Sequence, residues 1–239
     1  TANTYTLVEA DAGADITCEV TAENGDGSTM AESNALTIDV YVVYLTHVED
    51  GTDATTYSGG SWNGVSFGVA ADNRKIVVGL SGRSGNAACD WSSGSIGGVA
   101  SSIVTDGVTP ANARNTTSGC NFSTLTIADV PTGASGNLSN TFSQTVVRIG
   151  ATVWAVYGAA TTQAATSAVS TADDPTSTQT IPAGGSAIGS AYGGGGLACT
   201  TTGLSEDHET SIEAGTAAHV GGHLNTHAGG STAMTFNWS

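Results

Sequence analysis

VSFGVAADNRKIVVGLSGRSG (65–85) decides the fold class. Its two halves, VSFGVA (65–70) and KIVVGLSG (75–82), are short runs rich in β-branched residues. Between them, ADNRK (71–75) supplies residues that tolerate turn geometry. The same alternation of run and turn extends in both directions. Upstream lie TYTLV (4–8), DITCEVTA (15–22) and ALTIDVYVVYLTHV (35–48). Downstream lie GVASSIV (98–104), STLTIADV (123–130), NLSNTFSQ (137–144), ATVWAVYGA (151–159) and STQTIPA (177–183), then GSAIGSAYG (185–193), TAAHVGGHL (216–224) and TAMTFNW (232–238). ENGDG (23–27), VPTGASGN (130–137) and HAGGS (227–231) punctuate them. No dozen-residue segment carries an apolar stripe at helical spacing. About a dozen short strands with Gly, Asn and Asp turns predict an all-β chain, an antiparallel β-sandwich of jelly-roll type.

Composition bounds the partners. At 239 residues and 39% hydrophobic content, the chain can fill a sandwich core. Five Lys and Arg against 21 Asp and Glu give a formal charge of -16. Phosphate binding needs cationic neutralisation, so nucleic acid is not an expected partner. An acidic surface also disfavours anionic lipid, and no apolar run is long enough to span a bilayer, so membrane insertion is not expected. The opening TANTYTLVEADAG lacks the basic and apolar regions of a secretion signal.

Of the four cysteines, Cys89 (AACDWSS) and Cys120 (SGCNFST) sit in polar, Gly/Ser-rich stretches that a disulfide would clasp under oxidising conditions. Cys18 and Cys199 have no evident mates, and the absence of CxxC argues against a structural zinc site of the usual kind.

The run from Thr37 to Val48 ends one pattern and begins another, which divides the chain into residues 1–39 and 40–239. The first part holds too few strands to bury a face alone. Either it packs on the larger part, or it is the end of a module that begins elsewhere. TYTLVEADAGADITCEVTAENGDGSTMAESNALTIDV resembles the C-terminal half of immunoglobulin-like repeats of phage tail and bacterial surface proteins. The resemblance rests on Asp11, Gly13, Cys18 and the hairpin from Val20 to Ser28. It departs from that family in lacking the front sheet with its earlier Cys and core Trp. Residues 40–239 resemble a jelly-roll-like β-sandwich module of tailed-phage structural proteins. The stretches that carry the likeness are 65–85, SIGGVASSIV (95–104), VPTGASGNLSNTFS (130–143), RIGATVWAVYG (148–158), TIPAGGSAIGSA (180–191) and TAMTFNWS (232–239).

Three groups of residues invite chemistry. His219, His223 and His227 recur every four residues, with His47 or His208 available as a further metal ligand. On a strand, four residues span roughly 13 Å, too far for two imidazoles to share one ion, and Gly221 and Gly222 oppose a helix. The alternative is polar histidines hydrogen-bonded at a surface or along an oligomer axis. The acidic clusters Glu206, Asp207 and Glu209, Asp173 with Asp174, and Asp50 with Asp53 suit a loop-bridging calcium or other divalent ion, or simply solvated loops. Trp62 (GSWNG) and Trp91 (CDWSS) could stack on a sugar face or cap the ends of the core; Trp154 and Trp238 read as core. No G-x-S-x-G elbow occurs, and Gly193 to Gly196 is a flexible corner.

With no catalytic set in view, the expectation is a non-enzymatic virion structural protein: a tail or head fibre, spike or decoration subunit at the virion surface. Its partners would be copies of itself and other virion proteins, with host attachment, to a surface glycan for instance, strengthened by multivalency in a homo-oligomer. The alternative is a carbohydrate-binding module or extracellular bacterial adhesin that uses Trp62 and Trp91. A third reading, a lyase or esterase on a β scaffold, needs converging carboxylates or histidines.

Overall fold

The computed structural model describes residues 5, 11, 15–37, 40–50, 60–85, 89–105, 110–115, 119–159, 165, 167–168, 174–194, 198–213 and 217–238. The described residues are all-β, with no α-helix. All of TYTLV (4–8) except Tyr5, together with Asp53, Asp173 and the side chain of Asp50, lies outside them.

β1 (Asp15–Ile16), β2 (Glu19–Asn24), β3 (Gly27–Glu32) and β4 (Leu36–Thr37) form one antiparallel ribbon. β1 pairs with β4, β2 pairs with β3, and Gly25–Asp26 turns the chain between them. Cys18 and Ser33 bridge the two ladders through Ser33 N–H to the Cys18 carbonyl at 2.8 Å. All residues of β2 and β3 are exposed, including Val20 and Met30 at 59% and 63%. The long run expected over 35–48 breaks at the proposed seam: β4 stays with the ribbon, whereas β5 (Tyr41–Asp50) joins a different sheet.

The rest of the chain is laid down in layers. β6 (Ser61–Ser66), β7 (Arg74–Ser84), β8 (Trp91–Ile96), β9 (Val99–Ala100), β10 (Ser102–Ile103), β11 (Asn112–Asn115), β12 (Cys120–Asp129), β13 (Ser135–Phe142) and β14 (Arg148–Tyr157) build the first pair of sheets with β5. Sheet I is ordered β6-β13-β8-β9; sheet II is β10-β12-β7-β14-β5, with β11 also on β12. The chain crosses between the two sheets again and again, as a jelly roll does. β12 shows why: Cys120, Phe122, Thr124, Thr126 and Ala128 are buried while the residues between them are half-buried, a period of two. Val65, Ile96, Leu138 and Phe142 of sheet I meet Ile76, Val78, Leu80, Phe122, Ile149 and Val153 of sheet II in one apolar core. Each such fully buried side chain contributes about 1.5–3 kcal/mol.

β15 (Thr176–Ala183), β16 (Ala187–Gly194), β17 (Cys199–Thr202), β18 (Ser205–Glu213), β19 (Ala217–Leu224) and β20 (Ala228–Trp238) form a second pair: sheet III, β16-β19-β18, and sheet IV, β15-β20-β17. Their shared core holds Ala191, Leu204, Val220, Met234 and Phe236, with Trp238 packed against it. Residues 40–239, expected as one sandwich, thus contain two sandwiches, and sheet III packs on the outer face of sheet II. β14 sits at the centre and is buried along its whole length. Two devices fasten the layers. A Cβ on Gly79 would stand 2.7 Å from Ser190 Cβ, so glycine sets how closely sheets II and III approach. The Asn225 side chain accepts from Val42 N–H at 2.7 Å and donates to the Val42 carbonyl at 2.8 Å, standing in for a neighbouring strand at the edge of β5.

Several strands escape the sequence expectation. β8, β11, β17 and β18 carry Ser, Asn, Thr and acidic residues in place of β-branched apolar ones. β18, read as an acidic loop, is an edge strand, where charged residues are tolerated and discourage further pairing. VSFGVA begins within β6, which runs through Ser61–Ser66.

Candidate functional site

Four of the five histidines lie in or beside the seam between sheets II and III, and two β-bulges put them there. β5 pairs with β14 as Val43↔Ala155 and Tyr44↔Trp154, then slips so that Thr46 faces Val153 and His47 faces Thr152. Leu45 is the extra residue. Val43, Leu45 and Val48 pack toward the apolar core; strict alternation would send residue 47 there too, and the bulge turns His47 to the opposite face. On β18, Glu206 pairs with Gly222 and His208 with Gly221, so Asp207 is the bulged residue.

His47 and His208 stack with ring centroids 3.8 Å apart and planes 20° from parallel. His219, on β19, lies 5.2 Å from His47. Its ring is fully buried between the hydroxyls of two sheet II strands: Nε2 is 2.6 Å from Thr152 Oγ1, and Nδ1 is bonded to Ser81 Oγ. Gly150 makes room, since a Cβ there would lie 3.1 Å from His219 Cγ and 3.3 Å from His47 Cε1. Burial first, and then the neighbouring His208, lowers the His47 pKa to about 3. Burial, followed by His47 and His208, holds His219 well below the ordinary imidazole value. Both rings are therefore neutral at physiological pH.

Beside this stack, Asp207 accepts from two rings. Trp154 Nε1–H donates to Oδ2 at 2.7 Å, and His223 Nδ1 lies 2.7 Å from Oδ1. The carboxylate is 8% exposed and His223 is 19% exposed. Tyr44 is near enough that its phenol pKa is raised, by burial first and then by Asp207. An acid-oriented imidazole is one part of a general-base arrangement. Among the described residues, however, no hydroxyl or thiol is bonded to the His223 ring.

The structure does not bring His219, His223 and His227 together. His219 is held by Ser81 and Thr152, His223 by Asp207, and His227 Nε2 lies 2.6 Å from Thr232 Oγ1 in the turn before β20. The strand spacing accounts for the separation. Of the acidic candidates, Asp207 serves Trp154 and His223, Glu209 accepts from Cys199 N–H at 3.0 Å, and Asp174 accepts from Trp238 N–H at 2.9 Å. Among the described residues no three His, Cys, Asp or Glu side chains are grouped so as to hold a metal ion.

Trp62 and Trp91 are half-buried and pack against the core of the first sandwich. The Trp62 ring lies across Gly60, and Trp91 Nε1–H donates to Asn140 Oδ1 at 3.0 Å. Cys89 and Cys120 are joined, with Cα atoms 5.9 Å apart, while Cys18 and Cys199 are free thiols.

Arg74 was missed altogether. It is 1% exposed, and its guanidinium donates to six backbone carbonyls, those of Phe67, Gly68, Val69, Val130, Thr132 and Gly133, at 2.7 to 3.1 Å. It clamps the loop after β6 to the loop after β12. Its signal in the sequence is a cation opening an apolar strand in a chain that has only five.

Comparison of the chain with protein-family models, curated proteins and solved structures finds no match in any of the three.

Proposed function

We propose that the chain is a non-enzymatic assembly subunit of an extracytoplasmic particle of the tailed-phage virion kind, a fibre, spike or decoration protein that associates with copies of itself and attaches to a surface. The observation that carries this reading is the ribbon Asp15–Thr37. Two strands with both faces in water are marginal on their own. Here Val20, Met30 and Leu36 are each about 60% exposed on such a ribbon, and among the described residues β2 and β3 pair only with each other, leaving their outer backbone edges to a further strand. An edge of that kind favours addition of strands from another chain. The layered body, with its disulfide and buried arginine clamp, suits a rigid support for the ribbon. The resemblance of residues 1–39 to part of an immunoglobulin-like repeat points the same way.

Hydrogen exchange across β2 and β3 as a function of protein concentration tests it. Assembly through the ribbon slows exchange of these amides as concentration rises. Exchange at the rate of an unstructured peptide at every concentration contradicts it.

A further inference from the structure

We propose that the histidine seam is an acid-sensitive latch: mild acidification charges the stacked imidazoles and releases sheet III from sheet II, while the first sandwich stays folded. Three features of the geometry support this. The His47 ring lies 3.8 Å from that of His208 and 5.2 Å from that of His219 between two sheets, so protonating His47 together with either neighbour places like charges at close range in a poorly solvated site. His47 belongs to sheet II, whereas His208 and His219 belong to sheet III, so the repulsion acts across the seam. The first sandwich has fasteners of its own in Cys89–Cys120 and the Arg74 clamp, which contain no histidine.

Among the described side chains, other groups at the seam bear on the sign. From β5 comes Tyr44, close enough to Asp207 to feel its charge. From β7 and β14 come the hydroxyls of Ser81 and Thr152. By strand alternation Arg83 and Arg148, register partners of each other, lie on the same side. From β16, Tyr192 is the register partner of His219, and from β18, Thr210 is the other. Asp207 opposes charge build-up, but its carboxylate already serves Trp154 and His223. Glu206 is raised, by burial first and then by Glu209 and Asp207, and so favours the closed form slightly as pH falls; it is largely exposed and its effect is screened.

For the buried histidines the sign is the reverse. Their values in the closed form lie below the ordinary 6.5, so their contribution is complete above pH 6.5 and is lost as pH falls toward the closed-form values. Each imidazole that reaches solvent on opening favours the open form by up to about 30-fold at pH 5.

The test is hydrogen exchange of the full chain at pH 7.5 and 5.0, corrected for intrinsic rates, following β18 and β19 against β7 and β12. The latch predicts loss of protection in β18 and β19 at pH 5.0 with β7 and β12 retained. It also predicts that His208→Gln moves this opening to lower pH and makes it less steep, whereas His227→Gln, outside the stack, leaves it unchanged. Protection of β18 and β19 that persists in the wild-type chain to pH 4.5, or loss in all four strands together, overturns the proposal even if the variant does not fold. So does a folded His208→Gln chain that opens at the wild-type pH with the wild-type steepness.

Discussion

Trp154 and Asp207 join the two sandwiches: the fully buried indole N–H on central strand β14 donates to the bulged carboxylate on β18 across 2.7 Å. Removing the acceptor strands a buried donor, which costs about 1–3 kcal/mol. Asp207→Ala is expected to lose that much in urea unfolding. Asp207→Asn, which keeps an oxygen for Trp154, loses less.

Arg74 presents the largest single test of packing. Six carbonyls face one guanidinium, and a lysine ammonium has three donors to offer them. Arg74→Lys is expected to cost roughly 3–5 kcal/mol, since it leaves buried carbonyls unmet around a displaced charge. Thermal unfolding measures it.

Cys89 and Cys120 close a loop across a sequence separation of 31. Chain entropy alone assigns such a crosslink about 3–4 kcal/mol. Replacing both cysteines with Ala is expected to lower the urea midpoint by a corresponding amount.

The fold class was legible because short strand-forming runs, such as those of β12, β13 and β14, are separated by turn residues. The number of layers was not. Whether a strand is covered on both faces depends on what packs from 100 residues away, and Ser81, Thr152 and Gly150 look the same in sequence whether they meet water or His219. The seam was hidden for a sharper reason. Parity of 43, 45 and 47 points His47 into the apolar core, and only the bulge at Leu45, which nothing in VYVVYLTH announces, reverses it. The four-residue spacing of His219, His223 and His227 drew attention to one strand, when the partners of His219 came from β7 and β14. Cys89 and Cys120 were legible through their shared polar context.

The two free thiols are expected to react very differently. Cys18 is exposed on the ribbon, whereas burial, and then Glu209, Glu206 and Asp174, push the Cys199 thiol up to about 12. Thiolate is the reactive species. Iodoacetamide at pH 8 should label Cys18 in the native chain and reach Cys199 only after unfolding, as read by peptide mass spectrometry.

The native mass of the full chain, taken by light scattering on a sizing column over a range of concentrations, tests the assembly account most directly. The account predicts a homo-oligomer that shrinks toward the monomer when Val20 and Met30 are both replaced by Glu. A wild-type chain that stays monomeric at every concentration contradicts it.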